Sequence, residues 1–388
     1  MIKIYLKPKK EQAIQRRHPW IFSGAIRNIE GEAGDGDAVE VYSSKNEFLA
    51  VGHFHEGSIA VRILSYKKRK LDAEFWRSQI KKAAVYRQFL GFPSEATNCY
   101  RMVHGEGDGL SGLVVDIYGN TAVLQCHTVG MHREREAIAQ AVKDIVEGVE
   151  AVFDKSRASL PERYANTIEN SYLTGNSAPQ NVLENGHRFY VDWERGQKTG
   201  FFLDQRDNRQ MLSKYAKRKK VLNAFCYSGG FSVYAMQAGA AEVHSIDVSK
   251  KAMDWTDKNI ELNPTDCLHE SIQGKVLDYL KDTEPYEVMV VDPPAFAKRI
   301  SKRHNAVQGY KRLNAMAMQK MLPGGVLFTF SCSQVIDRQL FYNTIVAAAI
   351  EAGRSVKVMH HLSQPADHPV NLFHPEGAYL KGLVLRIE

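Results

Sequence analysis

The sequence predicts an α/β protein: a mostly parallel sheet with helices on both faces in the C-terminal half, preceded by a small β-barrel and a middle α+β segment. Three observations predict it. From about residue 185 strand-like runs alternate with helix-like ones: VLNAF, FSVYAMQAG, EVHSIDV, KAMDWTDKNIELN, EVMVVD, NAMAMQKML and VLFTFS. Strands alternating with helices of this length pair in parallel, because each crossover helix packs back onto a sheet face. Residues 1–70 instead carry short period-two runs, GDAVEVYSS, FLAVGHF and IAVRILS, separated by Gly-containing turns, as a small barrel needs. The chain has 388 residues, 44% hydrophobic and 24% charged, which supplies more than one core and excludes a disordered polymer.

Three segments are expected: 1–70, 71–184 and 185–388. The first closes on the basic run Lys67 to Lys70, read as a linker. The second opens with DAEFWRSQIKKAAVYRQFLG, an amphipathic helix with Asp72 at its start and Gly91 at its end. Strand-like GLVVDIYG, TAVLQCH and AVFDKS follow, with one helix, MHREREAIAQAVKDIVEG, between the last two and a turn-rich loop at GEGDGLSGL. The third opens on the strand HRFYVDW, which precedes GQKTGFFLDQRDNR. No internal repeat or low-complexity tract is present.

The formal net charge is +7, and residues 1–70 hold 13 Lys and Arg against 8 Asp and Glu, a local excess of +5. Such an excess attracts polyphosphate backbones, although a solvated basic surface has the same composition. The five cysteines are scattered and form no CxxC pair, so no structural metal is expected and free thiols in a reducing compartment are. No apolar run approaches the roughly 18 residues that span a bilayer, and Lys3 and Lys7 come too early for a signal peptide. A cytoplasmic protein without a membrane partner is the expectation.

Open parallel sheets bind ligands at the carboxyl ends of their strands. After VLNAF comes Cys226-Tyr227-Ser228-Gly229-Gly230 and then a helix. Small residues let backbone approach a ligand, and a helix start offers unpaired N–H donors. The cluster lacks the GxGxxG spacing of a pyrophosphate-binding turn. EVHSID ends in Asp247, placed to accept from two ribose hydroxyls. A nucleoside held without a pyrophosphate points to S-adenosylmethionine; a plain βαβ unit whose Asp caps the next helix reads the same way. EVMVVD runs into Asp292-Pro293-Pro294-Ala295-Phe296, where two prolines fix the exit from the strand and Asp292 faces the crevice as an acceptor for a base amine, with Phe296 free to stack. VLFTF runs into Ser331-Cys332-Ser333, and a thiol at this edge is a candidate nucleophile. Carbon 5 of a pyrimidine attacks a sulfonium methyl only after a thiolate has added at carbon 6, so this chemistry needs a thiol and an acid together. The competing reading of any such cysteine is buried packing.

Together these residues carry a family resemblance. The chain resembles the bacterial PUA-domain-containing class I S-adenosylmethionine-dependent methyltransferases that form 5-methylcytidine in large-subunit ribosomal RNA. The likeness runs through RRHPWIFSGAI, GEGDGLSGLVVDIYG, GQKTGFFLDQRDNR, NAFCYSGGFSVYA, VVDPPAFAK, QGYKRLNAMAMQ, LFTFSCS and QPADHPVNLFHPEGAYLKG, nearly the whole chain. It implies a PUA-like RNA-binding barrel and a Rossmann-like methyltransferase domain. Phe225, Tyr227, Ser228 and Gly229 would line the methionine part of the cofactor. Asp247 and Val248 would sit at its ribose, the Val276 backbone at its adenine, and Gln205 and Asp292 beside it. Cys332 would be the nucleophile and Asp292 its catalytic partner. Arg16, Arg17, His18 and Phe296 would contact RNA, Lys198 and Arg206 would contact RNA or a carboxylate, and Trp20 is either a stacking ring or barrel core.

Relatives in this family often carry an Asp before the helix that follows the third strand, where it holds the adenine amine; Gly274 and Lys275 stand there in this chain. The partner implied is RNA, expected to be large-subunit ribosomal RNA, with no membrane and no metal; a homodimer is left open. Two other functions stay open at this level. The Asp-Pro-Pro-Ala-Phe motif is similar to that of nucleobase amino-methyltransferases, in which Cys332 would be packing. A non-catalytic RNA-binding or assembly protein with a relict cofactor fold is the other.

Overall fold

The structure is a computed structural model that describes residues 2–388. The chain divides into two compact units. One comprises the chain up to Val182 with Val191–Leu203 and Ala366–Gly377; the other comprises Leu183–Tyr190, Asp204–Pro365 and Ala378–Glu388.

The first unit contains two sheets. Six strands, in spatial order Trp20–Phe22, Ile59–Ser65, Phe48–Phe54, Ala38–Tyr42, Ile2–Leu6 and Ile26–Glu30, form the N-terminal sheet. All neighbours pair antiparallel except Ile2–Leu6 with Ala38–Tyr42. The period-two runs bury Val39, Val41, Ala50, Val61 and Ile63 together with Ile4, Leu6 and Ile14. The segment Lys67 to Lys70 lies outside strand and helix.

The second sheet of this unit has five strands: Ser171–Thr174, Ala151–Asp154, Thr121–Cys126, Leu113–Tyr118 and Cys99–His104. Helix Ala73–Phe89 begins at Asp72, whose carboxylate accepts from the Phe75 N–H at 3.0 Å, an N-cap. The single helix expected after Cys126 is two, Val129–Arg133 and Arg135–Ile145. Glu134 separates them at φ −91°, ψ 3°, and its carboxylate accepts from the buried Trp76 indole at 2.9 Å. That tertiary bond holds Glu134 off the helical path, which a sequence pattern does not encode.

The second unit is built on a seven-stranded sheet. Numbered along the chain, its strands are β1 (Lys220–Ala224), β2 (Glu242–Asp247), β3 (Leu268–Gln273), β4 (Tyr286–Val291), β5 (Met321–Ser331), β6 (Val356–Leu362) and β7 (Lys381–Ile387), in spatial order 3-2-1-4-5-7-6. Strands β1 to β5 are parallel, and β7 inserts antiparallel between β5 and β6. Alternate residues feed two cores. Leu222, Ala224, Met289, Val291, Leu327 and Leu385 face one layer of helices, while Val221, Val288, Val290, Phe328, Phe330 and Val384 face the other. Burial on both faces is why β1 and β4 read as continuous apolar runs. The helices are α1 (Arg206–Ala216), α2 (Gly230–Gln237), α3 (Lys250–Glu261), α4 (Val276–Asp282), α5 (Arg303–Gln319) and α6 (Arg338–Ala352). Helix α5 begins well before NAMAMQKML, and β5 begins before VLFTFS, at Met321.

The strand registers set the site. Ala224 pairs with both Ile246 and Val291, and Val291 pairs with Thr329. The chain therefore leaves β1, β2, β4 and β5 at one edge of the sheet. The order reverses at β1, with β2 on one side and β4 on the other, and this opens the crevice where such sheets take ligands.

Candidate active site

The loop leaving β1 is held in an uncommon conformation. Phe225, Tyr227 and Gly229 have φ of 61°, 49° and 74°. Two of these are not glycine, and left-handed side-chain-bearing residues each cost on the order of 1–3 kcal/mol unless their surroundings fix them. The fixing contacts are present. The Tyr227 N–H donates to Asp247 Oδ2 at 3.2 Å, Asn259 Nδ2 to the Ser228 carbonyl at 2.7 Å, and Thr256 Oγ1 to the Tyr227 carbonyl at 2.9 Å. A Cβ on Gly229 would lie 2.8 Å from Thr256 Cγ2, so the loop closes onto α3 only with glycine there. Ser228 Oγ is buried without a hydrogen-bond partner, and a buried hydroxyl left so is costly unless a ligand satisfies it.

Asp247 ends β2, half-buried, its other oxygen accepting the Ser249 N–H at 2.9 Å. Both oxygens keep a lone pair for further donors, as a ribose diol requires. The Gly274 N–H donates to the Asp247 carbonyl at 3.0 Å, bringing the start of α4 beside β2. There Ile246, Ile272, Gly274, Lys275 and Asp278 line one groove. A Cβ on Gly274 would meet only Ile246 Cδ1, at 3.9 Å, so the groove is open at that point. Asp278 is exposed and engaged by Lys281 at 2.7 Å. Val276 is buried and Val248 is 62% exposed, so Val248 has its side chain available to a bound group and Val276 only its backbone.

Asp292 follows β4. Gln205, buried at the start of α1, donates to Asp292 Oδ2 at 2.9 Å, and Asn208 fixes that Gln by donating to its Oε1 at 2.6 Å. Burial pushes the Asp292 carboxyl up to about 7, and the negative charge of Asp204 adds to the rise. Asp204 accepts from the Tyr379 hydroxyl at 2.6 Å through Oδ2 and keeps Oδ1 buried without a partner. A neighbouring negative charge of this kind favours the protonated form of Asp292. Phe296 is 38% exposed and packs on Tyr310, ring centroids 4.5 Å apart. Tyr310 is fully buried on α5, its hydroxyl pushed up to about 12 by burial, with Ser331 and Cys332 among its neighbours.

Cys332 follows β5 and is half-buried. The other thiols differ. Cys99, Cys126 and Cys226 are buried, and Cys226 lies against Met253 and Thr256, where burial pushes it well above the ordinary thiol range. Cys267 is half-buried at the start of β3, the far end of its strand from the site. Ser333 beside Cys332 is locked, donating from Oγ to the Ala297 carbonyl at 2.7 Å.

The residues expected to meet RNA separate. Arg16, Arg17 and Lys198 are exposed, and His18 is half-buried. Trp20 is half-buried and tied: its indole N–H donates to Glu106 at 2.8 Å, His374 packs on the ring at 4.3 Å, and Arg62 lies over it at 5.1 Å. Arg206 departs from the expectation of an RNA contact. It is 2% exposed and 3.7 Å from Glu184, which also takes two bonds from Arg209, so it serves a buried ion cluster and offers no surface to RNA. Asp204, Tyr310 and Lys381 were not singled out from sequence; a lone charge inside the apolar run YLKGLVL was the available signal for the last. One group of possible metal donors occurs among the described residues, His18, His374 and Glu376, with donor atoms within 4.8 Å of one another.

Residues 111–386 match the S-adenosylmethionine-dependent methyltransferase family, and residues 4–66 match PUA-like domains. The chain belongs to this methyltransferase family. The methyltransferase is 38% identical to ribosomal RNA large subunit methyltransferase I of Aeromonas salmonicida, over 99% of this chain and 98% of that one. It is 35% identical to the protein of the same name from Escherichia coli, over 100% and 99%. A solved structure from Streptococcus mutans, described as a candidate member of the same enzyme class, superposes with a TM-score of 0.86 at 23% identity and covers both chains fully, which shows the fold is shared. The cofactor is S-adenosylmethionine, and the residues present fit it: a strained loop with an unsatisfied buried hydroxyl, a carboxylate with free lone pairs, and an open groove flanked by Ile246 and Ile272.

Proposed function

We propose that the methyltransferase acts on RNA, at carbon 5 of a cytosine in large-subunit ribosomal RNA, through a covalent adduct at Cys332. The substrate class follows the names of its relatives and the RNA-binding type of its N-terminal sheet. The chemistry rests on one observation: a half-exposed thiol and a carboxyl pushed up to about 7 leave neighbouring strands at the edge that carries the cofactor loop.

S-adenosylmethionine supplies an electrophilic methyl group. The residues of this chain do the rest. Cys332 adds as thiolate to carbon 6, and the ring gains electron density at nitrogen 3 and carbon 5. Asp292, carrying its proton below about pH 7, donates to nitrogen 3 as that density builds. Gln205 keeps the carboxyl aimed, and Phe296 offers a face for stacking. After methyl transfer a base removes the carbon 5 proton and the thiolate is expelled. The loop of Phe225, Tyr227, Ser228 and Gly229 would hold the methionine part of the cofactor and Asp247 the ribose. The Gly274–Val276 backbone would take the adenine edge in place of an acidic side chain.

RNA containing 5-fluorocytidine tests the reading, because fluorine cannot leave as a proton does. Incubation with S-adenosylmethionine is expected to trap a protein–RNA adduct that survives denaturing gels and is lost in Cys332→Ser. Methylation of unmodified RNA by Cys332→Ser at wild-type rate would refute it and leave amine methylation at the Asp-Pro-Pro motif.

A further inference from the structure

Lys381 is the first residue of β7 and lies opposite Ser331 of β5 in the antiparallel register. Its side chain runs along the edge of the sheet, and Nζ donates to the Ser333 carbonyl at 2.8 Å. Cys332 is the residue between those two in the chain, and its charge acts on Lys381. Lys381 is only 3% exposed. A buried ammonium without an anion is expensive, and such lysines are paired or give up their proton. Among the described residues no carboxylate forms an ion pair with Lys381, so the Cys332 sulfur is the anion its position provides for.

We propose that Lys381 is the proton partner and counter-ion of Cys332. The amine takes the thiol proton, and the resulting ammonium holds the thiolate ready for attack. In that step the S–H bond breaks, an N–H bond forms and the electron pair stays on sulfur. The sulfur then spends the pair on the bond to carbon 6 and recovers it when that bond breaks, while Lys381 keeps its proton. No oxidant or further reactant enters.

The surroundings agree. Burial lowers the Lys381 ammonium to about 8, near where a thiol titrates, and Cys332 is the strongest influence holding it up. The other charges facing it come from the start of α6, Arg338 opposing the proton and Asp337 favouring it. Asp337 also accepts the Leu340 N–H at 2.8 Å as the cap of α6. From α5, Tyr310 faces the thiol side of the pair, and Asp292 after β4 acts on that same Tyr310 hydroxyl.

This inference rests on Cys332 being the nucleophile. Its test reads the thiol directly. In a Cys267→Ser background, which removes the other partly exposed thiol, iodoacetamide modification of Cys332 is followed by mass spectrometry from pH 5.5 to 9.5. The unsubstituted Lys381 protein is expected to show a midpoint below the ordinary thiol value of about 8.5. Lys381→Met should raise the midpoint by about one pH unit or more and slow modification at pH 7 about tenfold. Lys381→Arg should restore the low midpoint, since it keeps the charge, and calorimetry with S-adenosylmethionine reports that each variant is folded. An unchanged midpoint in Lys381→Met, or no rescue by Lys381→Arg, overturns the pairing. The adduct experiment separates the two ideas: a trapped adduct with a Lys381-independent midpoint removes only the pairing, whereas a Lys381-dependent midpoint without any adduct removes the cytosine chemistry.

Discussion

Asp292 shows how one side chain links pH, stability and rate. Its carboxyl is raised to about 7, so the folded protein binds this proton more tightly than the unfolded chain, where an Asp titrates near 3.9. Between those values the native state carries more protons, and stability from this group falls as pH rises through the window. Asp292→Asn removes the slope. Its unfolding free energy should gain on the wild type by about 2–3 kcal/mol between pH 5 and pH 8, read from urea titrations at both values. The rate moves the other way. If Asp292 donates to nitrogen 3, single-turnover methylation should fall above about pH 7, and Asp292→Asn should lose about 10²-fold or more and that falling limb with it. A variant that keeps the falling limb would assign the titration to another group.

At the scale of elements, an ion cluster fixes where the cofactor loop ends. Glu184 is fully buried and takes two bonds from Arg209 of α1, at 2.8 and 2.7 Å, and one from the Tyr234 hydroxyl of α2 at 3.0 Å. The Arg209 side chain in turn lies against Gly230, the first residue of α2, where a Cβ would come within 3.0 Å of its Cδ. Glu184→Gln leaves Arg209 charged and buried, a change that costs about 3–5 kcal/mol. Denaturant titration should show that loss, and calorimetry should show weaker S-adenosylmethionine binding because α2 carries the loop. Replacing Glu184 and Arg209 together by leucine should recover part of the stability.

None of this cluster was legible in the sequence, whereas the sheet largely was. The apolar runs of β1, β4 and β5 and the turn residues after each announced both the strands and the edge that carries Asp247, Asp292 and Cys332. Three kinds of feature were lost. Helix α6 and strands β6 and β7 have patterns that placed no element. Glu134 breaks a helix through a tertiary bond to Trp76. Arg206 sits in a motif that reads as ligand-facing, yet pairs inward with a glutamate 22 positions away that no spacing rule connects to it. Lys381 belongs to the same class, since only the register of β5 on β7 brings it to Cys332.

For the molecule as a whole, the question is where its charge of +7 acts. The excess in residues 1–70 includes Arg16 and Arg17, both exposed after the short helix Gln12–Gln15, while Arg62 of the same sheet is bound to Glu106 at 2.8 Å. Only cations free to release counter-ions contribute to the salt dependence of RNA binding, by about 0.7–0.9 in the slope of log K against log salt for each phosphate neutralised. If the N-terminal sheet meets RNA through these arginines, Arg16→Ala with Arg17→Ala should lower that slope by about 1.4–1.8 and weaken binding most at low salt. Arg62→Ala should leave the slope unchanged, although it leaves Glu106 without its partner. Filter-binding titrations of a ribosomal RNA fragment between 50 and 400 mM salt measure all three on the intact chain. Equal slopes for the double variant and the wild type would move the RNA contact away from this surface, and Lys198 would be the next residue to neutralise.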